Sequence, residues 1–281
     1  MYGSKLCLGL IGVPDKSGDE QIKIIYNAGF DGFFSAWSPR IFDYRKTANE
    51  IGAIYQSIHA PFSRTAKIWH GGEDADSVRN ELIQCVEDCA KVEVPILVVH
   101  PYSGVPMCEI PPECGIENFA VIIKRAEELG VKIAMENISQ PKYLDAVMQA
   151  FKDSSSVGFC WDTGHEMCYS CGEDQLTPYS DRLIATHLND NLGKTRENTP
   201  VTWHDDLHLL PFDGIINWQE VADRLNACGY DGILSFELNK ANRPNRYDNE
   251  KYVKLSYEEY IAEAYARACK LAYMKNKMKK S

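Results

Sequence analysis

Basic charge is scarce in this chain: 30 Lys and Arg stand against 40 Asp and Glu, a formal net charge of −10. Such a field repels phosphate backbones and anionic lipid unless cations cluster locally, so nucleic acid starts as a disfavoured, though not excluded, partner. Long apolar runs are missing too. No window approaches the roughly 20 residues of a membrane span, and Met1–Gly12 has no basic region leading into a long apolar stretch. A cytoplasmic protein with no membrane partner is expected. Cys is thin: 10 residues over 281 are too dilute for a secreted disulfide scaffold, and Cys7 and Cys160 lie in apolar runs where a thiol behaves as a small hydrophobe. Cys168-Tyr169-Ser170-Cys171 is one CxxC without a second, so a structural zinc ribbon would lack half its ligands. Linkers and low-complexity stretches are also wanting, which favours a single domain over residues 1–281.

What is present is ordinary globular composition, 44% hydrophobic and 25% charged, which excludes disordered, collagenous and miniprotein classes. Short β-branched or apolar runs alternate with longer amphipathic segments, the pattern of parallel strands joined by crossover helices. The strand runs are Leu6–Ile11, Gly32–Ala36, Ala53–His59, Ile96–His100, Val131–Glu136, Val157–Asp162, Leu183–Leu188 and Gly232–Glu237. Helical spacing covers Asp74–Val92, Ile116–Leu129, Pro141–Phe151, Trp218–Cys228 and a final Tyr257–Lys280, whose Lys275, Lys277, Lys279 and Lys280 read as a solvated tail. Gly29, Gly130 and Gly229 each stand just before a strand, where a left-handed helix cap favours Gly. Eight units in 281 residues give about 35 each, the size of a βα module, so the expected fold is α/β, a single (β/α)8 TIM barrel.

Six of the eight runs finish on, or within a residue of, a side chain that binds metals: His59, His100, Glu136, Asp162, His187 and Glu237. In a parallel barrel all C-terminal strand ends open onto one face, so these dispersed groups are expected to converge. Burying such carboxylates without cations costs several kcal/mol each, and a bound divalent ion is the economical account. His165, three residues beyond Asp162, and the Asp206-Leu207-His208 pair add three candidates. Imidazole with carboxylate suits zinc or manganese over calcium, and nine ligands exceed the needs of one ion. Either one to three ions bind, or some of the nine hold substrate. A lone strand-end His is more often a hydrogen-bonded structural group; the joint occurrence carries the argument. His70 and His204 fall outside the pattern, and Asn189 and Asp190 are expected to support His187.

Ser57-Ile58-His59-Ala60-Pro61-Phe62, Val98-Val99-His100-Pro101, Met135-Glu136-Asn137, Trp161-Asp162-Thr163-Gly164-His165, Thr186-His187-Leu188-Asn189-Asp190 and Phe236-Glu237 together resemble the xylose-isomerase-like barrel superfamily. That superfamily contains sugar and sugar-phosphate isomerases and epimerases together with endonuclease IV. The keto-sugar epimerases use a Glu, Asp, His, Glu quartet around one divalent ion, which the resemblance places on Glu136, Asp162, His187 and Glu237. The endonuclease IV pattern adds His59, His100, His165, Asp206 and His208, and all nine positions are filled here.

The resemblance thus implies a metal-dependent sugar isomerase or epimerase working through an enediolate, with Glu136 and Glu237 moving the proton and His165 facing the developing oxyanion. Trp37, Phe62 and Trp69 are the expected apolar walls for a small carbohydrate substrate. The loop after Glu237, Leu238 to Arg246, has no Gly for an amide nest but does offer cations, Lys240 among them as the expected substrate contact. An unphosphorylated or acidic sugar-like substrate follows. The alternative is a trinuclear zinc phosphodiesterase acting on abasic DNA, which the acidic balance opposes. A third reading is a sugar-binding barrel without turnover, which gains little from so many costly buried charges. A homo-oligomer is compatible with each.

Overall fold

The computed structural model describes residues 3–104, 109–196 and 199–278. Its strands are β1 (Leu6–Gly9), β2 (Gly32–Ala36), β3 (Ile54–His59), β4 (Ile96–Val99), β5 (Lys132–Glu136), β6 (Val157–Asp162), β7 (Leu183–His187) and β8 (Leu234–Phe236). Each overlaps one of the runs expected from sequence, with β4 and β8 stopping one residue short of His100 and Glu237. Hydrogen-bonded neighbours follow the order β7-β6-β5-β4-β3-β2-β1-β8. The registered pairs are parallel, for example Cys7 with Gly32, Leu6 with Leu234 and Glu136 with Cys160. A parallel bridge from Leu188 to Phe236 brings the two ends of that order together, and the Leu188 amide donates to the Ser235 carbonyl at 2.8 Å. Eight parallel strands with helices between them thus form a nearly closed (β/α)8 barrel. Every residue of β6 is buried, as a parallel strand covered on both faces requires.

The helices are α1 (Gly18–Ala28), α2 (Ile41–Ile51), α3 (Gly72–Lys91), α4 (Glu113–Leu129), α5 (Pro141–Ala150), α6 (Thr163–Tyr169), α7 (Trp218–Ala227), α8 (Glu250–Val253) and α9 (Tyr257–Met278). A capping box starts α1, with Ser17 and Glu20 exchanging side-chain and backbone bonds. Gly29 and Gly130 end α1 and α4 with φ of 116° and 70°, the left-handed caps expected from sequence.

By internal contacts the chain divides into two compact units, with boundaries inside β2, α2, β3 and β6. The first comprises the residues up to Phe34, Asp43–Tyr55 and those from Trp161 on. Here α9 packs on α1 and α7, burying Ile22, Ile25, Leu225 and Leu271. Each such side chain contributes about 1.5–3 kcal/mol. Lys275 on α9 is 1% exposed, with its ammonium 3.9 Å from Asp231, which corrects the expectation that it belongs to a solvated tail. Its stem is long enough to run along the apolar surface of the helix pair. Lys279 and Lys280 lie outside the described residues. The second unit, Ser35–Phe42 and Gln56–Cys160, has α3 on α4 and a core of Trp69, Tyr102, Phe119 and Tyr143.

Candidate metal centre

In the second unit, β3 ends on His59, His100 follows β4 and β5 ends on Glu136. The Nε2 atoms of His59 and His100 lie 3.1 and 3.0 Å from Glu136 Oε2, and 3.2 Å from one another. His59 Nδ1 sits 2.7 Å from the Ala60 carbonyl oxygen. A carbonyl can only accept, so Nδ1 carries a hydrogen. Nε2 faces a carboxylate and a second imidazole nitrogen, donor atoms that together can hold a cation. Glu136 is 0% exposed, so water does not screen it. Phe62, exposed on its outer side, packs on both rings at centroid distances of 5.6 and 4.8 Å.

In the first unit, Asp162 closes β6 and caps α6, its Oδ1 accepting from the His165 amide at 2.6 Å. Its Oδ2 accepts from Asn189 Nδ2 at 2.9 Å. Asn189 is fixed in turn by the Thr163 hydroxyl, which donates to its carbonyl at 2.7 Å and accepts from its amide at 3.0 Å. Position 164 must be Gly, because a Cβ there would fall 1.9 Å from Asn189 Oδ1. His187, closing β7, stacks on Phe34 at 4.6 Å and 13° and places Nδ1 3.0 Å from Glu237 Oε2. Gly9 leaves room for that Phe34 ring, whose edge would sit 2.6 Å from a Cβ on β1.

A second group in this unit joins Asp206 to His208 Nε2 at 3.0 Å and to His165 Nε2 at 3.3 Å. These three offer ligand atoms close enough to hold an ion. Burial alone would raise the Asp206 carboxyl and lower the His208 imidazole. The charges of His208 and His165 nonetheless hold Asp206 well below the usual carboxylate range, and Asp206 beside it pushes His208 up to about 9. His208 adopts φ of 52°, an uncommon left-handed backbone for a non-glycine residue. It is held there by the Asn239 amide on its carbonyl at 2.8 Å and by the paired bonds between Asp190 and Leu209 next to it.

The structure corrects several single assignments. Asn189 supports Asp162, and Asp190 collects the amides of the 212–216 loop and the Trp218 indole, so neither acts on His187 as expected. Trp69 is 0% exposed and donates to the Pro101 carbonyl at 2.8 Å. A 3-10 turn over Thr65–Trp69 folds it into the core, which removes it as a substrate wall. The Trp37 indole donates to Asp88 on α3 at 3.1 Å. Lys240 Nζ donates to the Val253 carbonyl at 3.0 Å, which leaves two of its three ammonium hydrogens for other partners. Asp205 is taken up by Arg196, Thr195 and the Thr202 amide, in keeping with Asp206 as the candidate of that loop. Nine described cysteines are free, Cys168 buried and Cys171 exposed. Cys108 lies outside the described residues.

Sequence reasoning missed the support under α6. Glu166 accepts from the Trp161 indole at 2.9 Å and from Arg224 on α7 at 2.6 Å, while the Arg224 guanidinium lies 4.6 Å over the Trp161 ring. Nothing local pairs residues so far apart in sequence; an acid one step beyond His165 was the available hint. The cavity beside this network is about 130 Å³, well short of the roughly 300 Å³ of a small-molecule site.

The chain belongs to the xylose isomerase-like TIM barrel family, whose model matches residues 22–262. It is 33% identical over 151 residues to the uncharacterized protein y4fM of Sinorhizobium fredii, covering 50% of this chain and 45% of that one. The chain therefore spans less than half the length of that relative. It is also 26% identical over 220 residues to the uncharacterized protein MJ1311 of Methanocaldococcus jannaschii, covering 71% and 70%. Among solved structures it resembles a D-psicose 3-epimerase from Clostridium cellulolyticum, with TM-score 0.73, 16% identity and coverage of 97% and 99%. Among the described residues no helix is long and apolar enough to cross a membrane.

Proposed function

We propose that this chain, as one domain, is a divalent-metal-dependent isomerase or epimerase of a small polyhydroxy carbonyl compound, with one ion held by Glu136, Asp162, His187 and Glu237. The observation that carries the reading is the first unit's run of strand ends: Asp162 fully buried, and His187 within 3.0 Å of Glu237. Each of these groups is costly there without a cation, and the mixed imidazole and carboxylate donor set suits manganese or zinc. The fold shared with a sugar epimerase agrees with it.

A bound divalent ion would supply Lewis acidity to a substrate carbonyl and its neighbouring hydroxyl, acidifying the carbon that bears the hydroxyl. The protein's own groups do the rest. Glu237, whose side chain is 27% exposed, reaches solvent and so can take the proton from an incoming substrate. Glu136, protonated at the start, would give its own proton to the opposite face while Glu237 keeps the one removed, inverting the carbon through an enediolate. His165, its ring against Tyr169 at 5.5 Å, donates to the developing oxyanion. Phe62 provides the apolar surface that excludes water. The test is deuterium uptake from D2O at the carbon next to the carbonyl, across a panel of ketoses with manganese present. Exchange is expected for at least one ketose, and none across the panel would refute the reading.

A second reading, phosphodiester cleavage on abasic DNA, is favoured by the further clusters at His165, Asp206 and His208 and at His59 and His100. An abasic duplex belongs in the same screen, and cleavage with zinc would move the assignment to it.

A further inference from the structure

We infer that Arg243 and Trp203 select a polyhydroxy carbonyl substrate that also bears a carboxylate, a uronate or keto-aldonate, with Arg243 Nη1 as the group that receives the acid. This rests on the sugar reading of the strand-end cluster and names its substrate class.

The loops after β7 and β8 are clipped together over that cluster's residues. Arg246 Nη1 donates to the Thr195 hydroxyl at 2.6 Å. Arg243 donates to the Asp206 carbonyl through Nε at 2.9 Å and through Nη2 as well. The Asp206 side chain is the one shared by His165 and His208, so the Arg243 guanidinium lies one peptide from the cluster. With Nε and Nη2 engaged by one carbonyl, the planar group turns its remaining nitrogen elsewhere. Among the described residues Arg243 meets no carboxylate. Of the other cations of these loops, Arg196 pairs with Asp205 and Arg246 with Asp248, Lys240 is tied to the Val253 carbonyl, and Lys194 is exposed. Asp162, Asp206 and Glu237 make the neighbourhood acidic, and an incoming acid needs a fixed positive charge to offset them.

Trp203 supplies the second half of the recognition. Its side chain is 52% exposed, stacked on His204 at 3.9 Å and 26°, with the Arg243 guanidinium 5.6 Å from its ring. The exposed part of the indole offers an apolar surface to the C–H groups of a sugar chain. Tyr169 packs edge-on against His165, with ring centroids 5.5 Å apart. Its hydroxyl makes no hydrogen bond among the described residues. Because Arg243 is already held, little ordering cost remains for the ligand to meet.

The experiment is calorimetric titration of the full chain with D-gluconate, neutral D-glucitol and D-glucitol 6-phosphate, in metal-free and manganese-loaded forms. Gluconate should bind at least about 10-fold more tightly than glucitol even without metal, the low end for a hydrogen bond to a charged group. Arg243→Gln should erase that preference and leave glucitol affinity unchanged, while Trp203→Ala should weaken both ligands alike. Equal affinity of gluconate and glucitol for the metal-free wild type would overturn the inference, as would a preference that survives Arg243→Gln or tighter binding of the phosphate ester. The wild-type comparison decides the matter even if the variants misfold. Ketose exchange without acid preference would sink this inference alone; acid preference without any exchange would sink the catalytic reading alone.

Discussion

Removing the Asp190 carboxylate should unseat the loop that carries Asp206 and His208. Asp190 is 0% exposed. Its Oδ1 accepts from the Asn191 and Ile216 amides at 2.9 and 3.1 Å, and its Oδ2 from the Phe212 amide and the Trp218 indole at 2.9 and 2.7 Å. Asp190→Ala strands four donors, the Asn191 amide and Trp218 indole buried and the Phe212 and Ile216 amides half-buried. At about 1–3 kcal/mol for each unsatisfied group the sum is about 4–12, and local relaxation with water entry brings the expected loss to about 3–5 kcal/mol. For a chain of this size roughly 2 °C accompanies each kcal/mol, so the melting temperature should fall by about 6–10 °C. Asp190→Asn keeps one accepting oxygen but turns an amide N–H toward two donors, and about half that fall is expected. Thermal unfolding followed by circular dichroism reads both. An alanine variant melting within about 1 °C of wild type would refute the reasoning, because unmet buried donors cannot be free of cost.

Glu136→Gln and Glu237→Gln should each lower turnover by at least about 100-fold, the lower range for losing a general acid or base, with circular dichroism unchanged; wild-type rates in both would remove the acid–base assignment. Asn189→Ala frees Asp162 Oδ2, and manganese affinity measured by dialysis should weaken about 10- to 100-fold, whereas unchanged affinity would show that Asp162 needs no such support. Asp213 governs an acid limb of stability. Burial raises its carboxyl, but bonds from Lys251, Tyr252 and Arg267 outweigh this and hold it below its ordinary 3.8. Its contribution is therefore present above pH 3.8 and lost as pH falls further. Asp213→Asn should be less stable than wild type at neutral pH, with the gap closing below that value; a gap constant with pH would contradict the assignment.

The strand ends were legible because a parallel strand buried on both faces reads as a continuous apolar run. A His, Asp or Glu at its end is then conspicuous, as at His59, Glu136 and Asp162. Composition cannot say which way a loop side chain turns, and Trp69 shows it: a turn position in sequence is a fully buried indole in the fold. Support between distant elements was equally hidden. Phe34 under His187 and Arg224 against Glu166 are pairs that become neighbours when the barrel forms, and neither spacing nor periodicity encodes them. The sequence marks Asn189 as a supporting residue but does not identify its partner. Its neighbour in sequence is His187, while its neighbour in space is Asp162.

Counting bound ions tests the central claim most directly. Elemental analysis after dialysis of the full chain against manganese or zinc should find at least one ion per chain. Asp162→Ala and His187→Ala should each lose that ion while retaining native circular dichroism. A wild-type protein that retains no divalent ion at any concentration offered, or variants that bind as many ions as wild type, would contradict it.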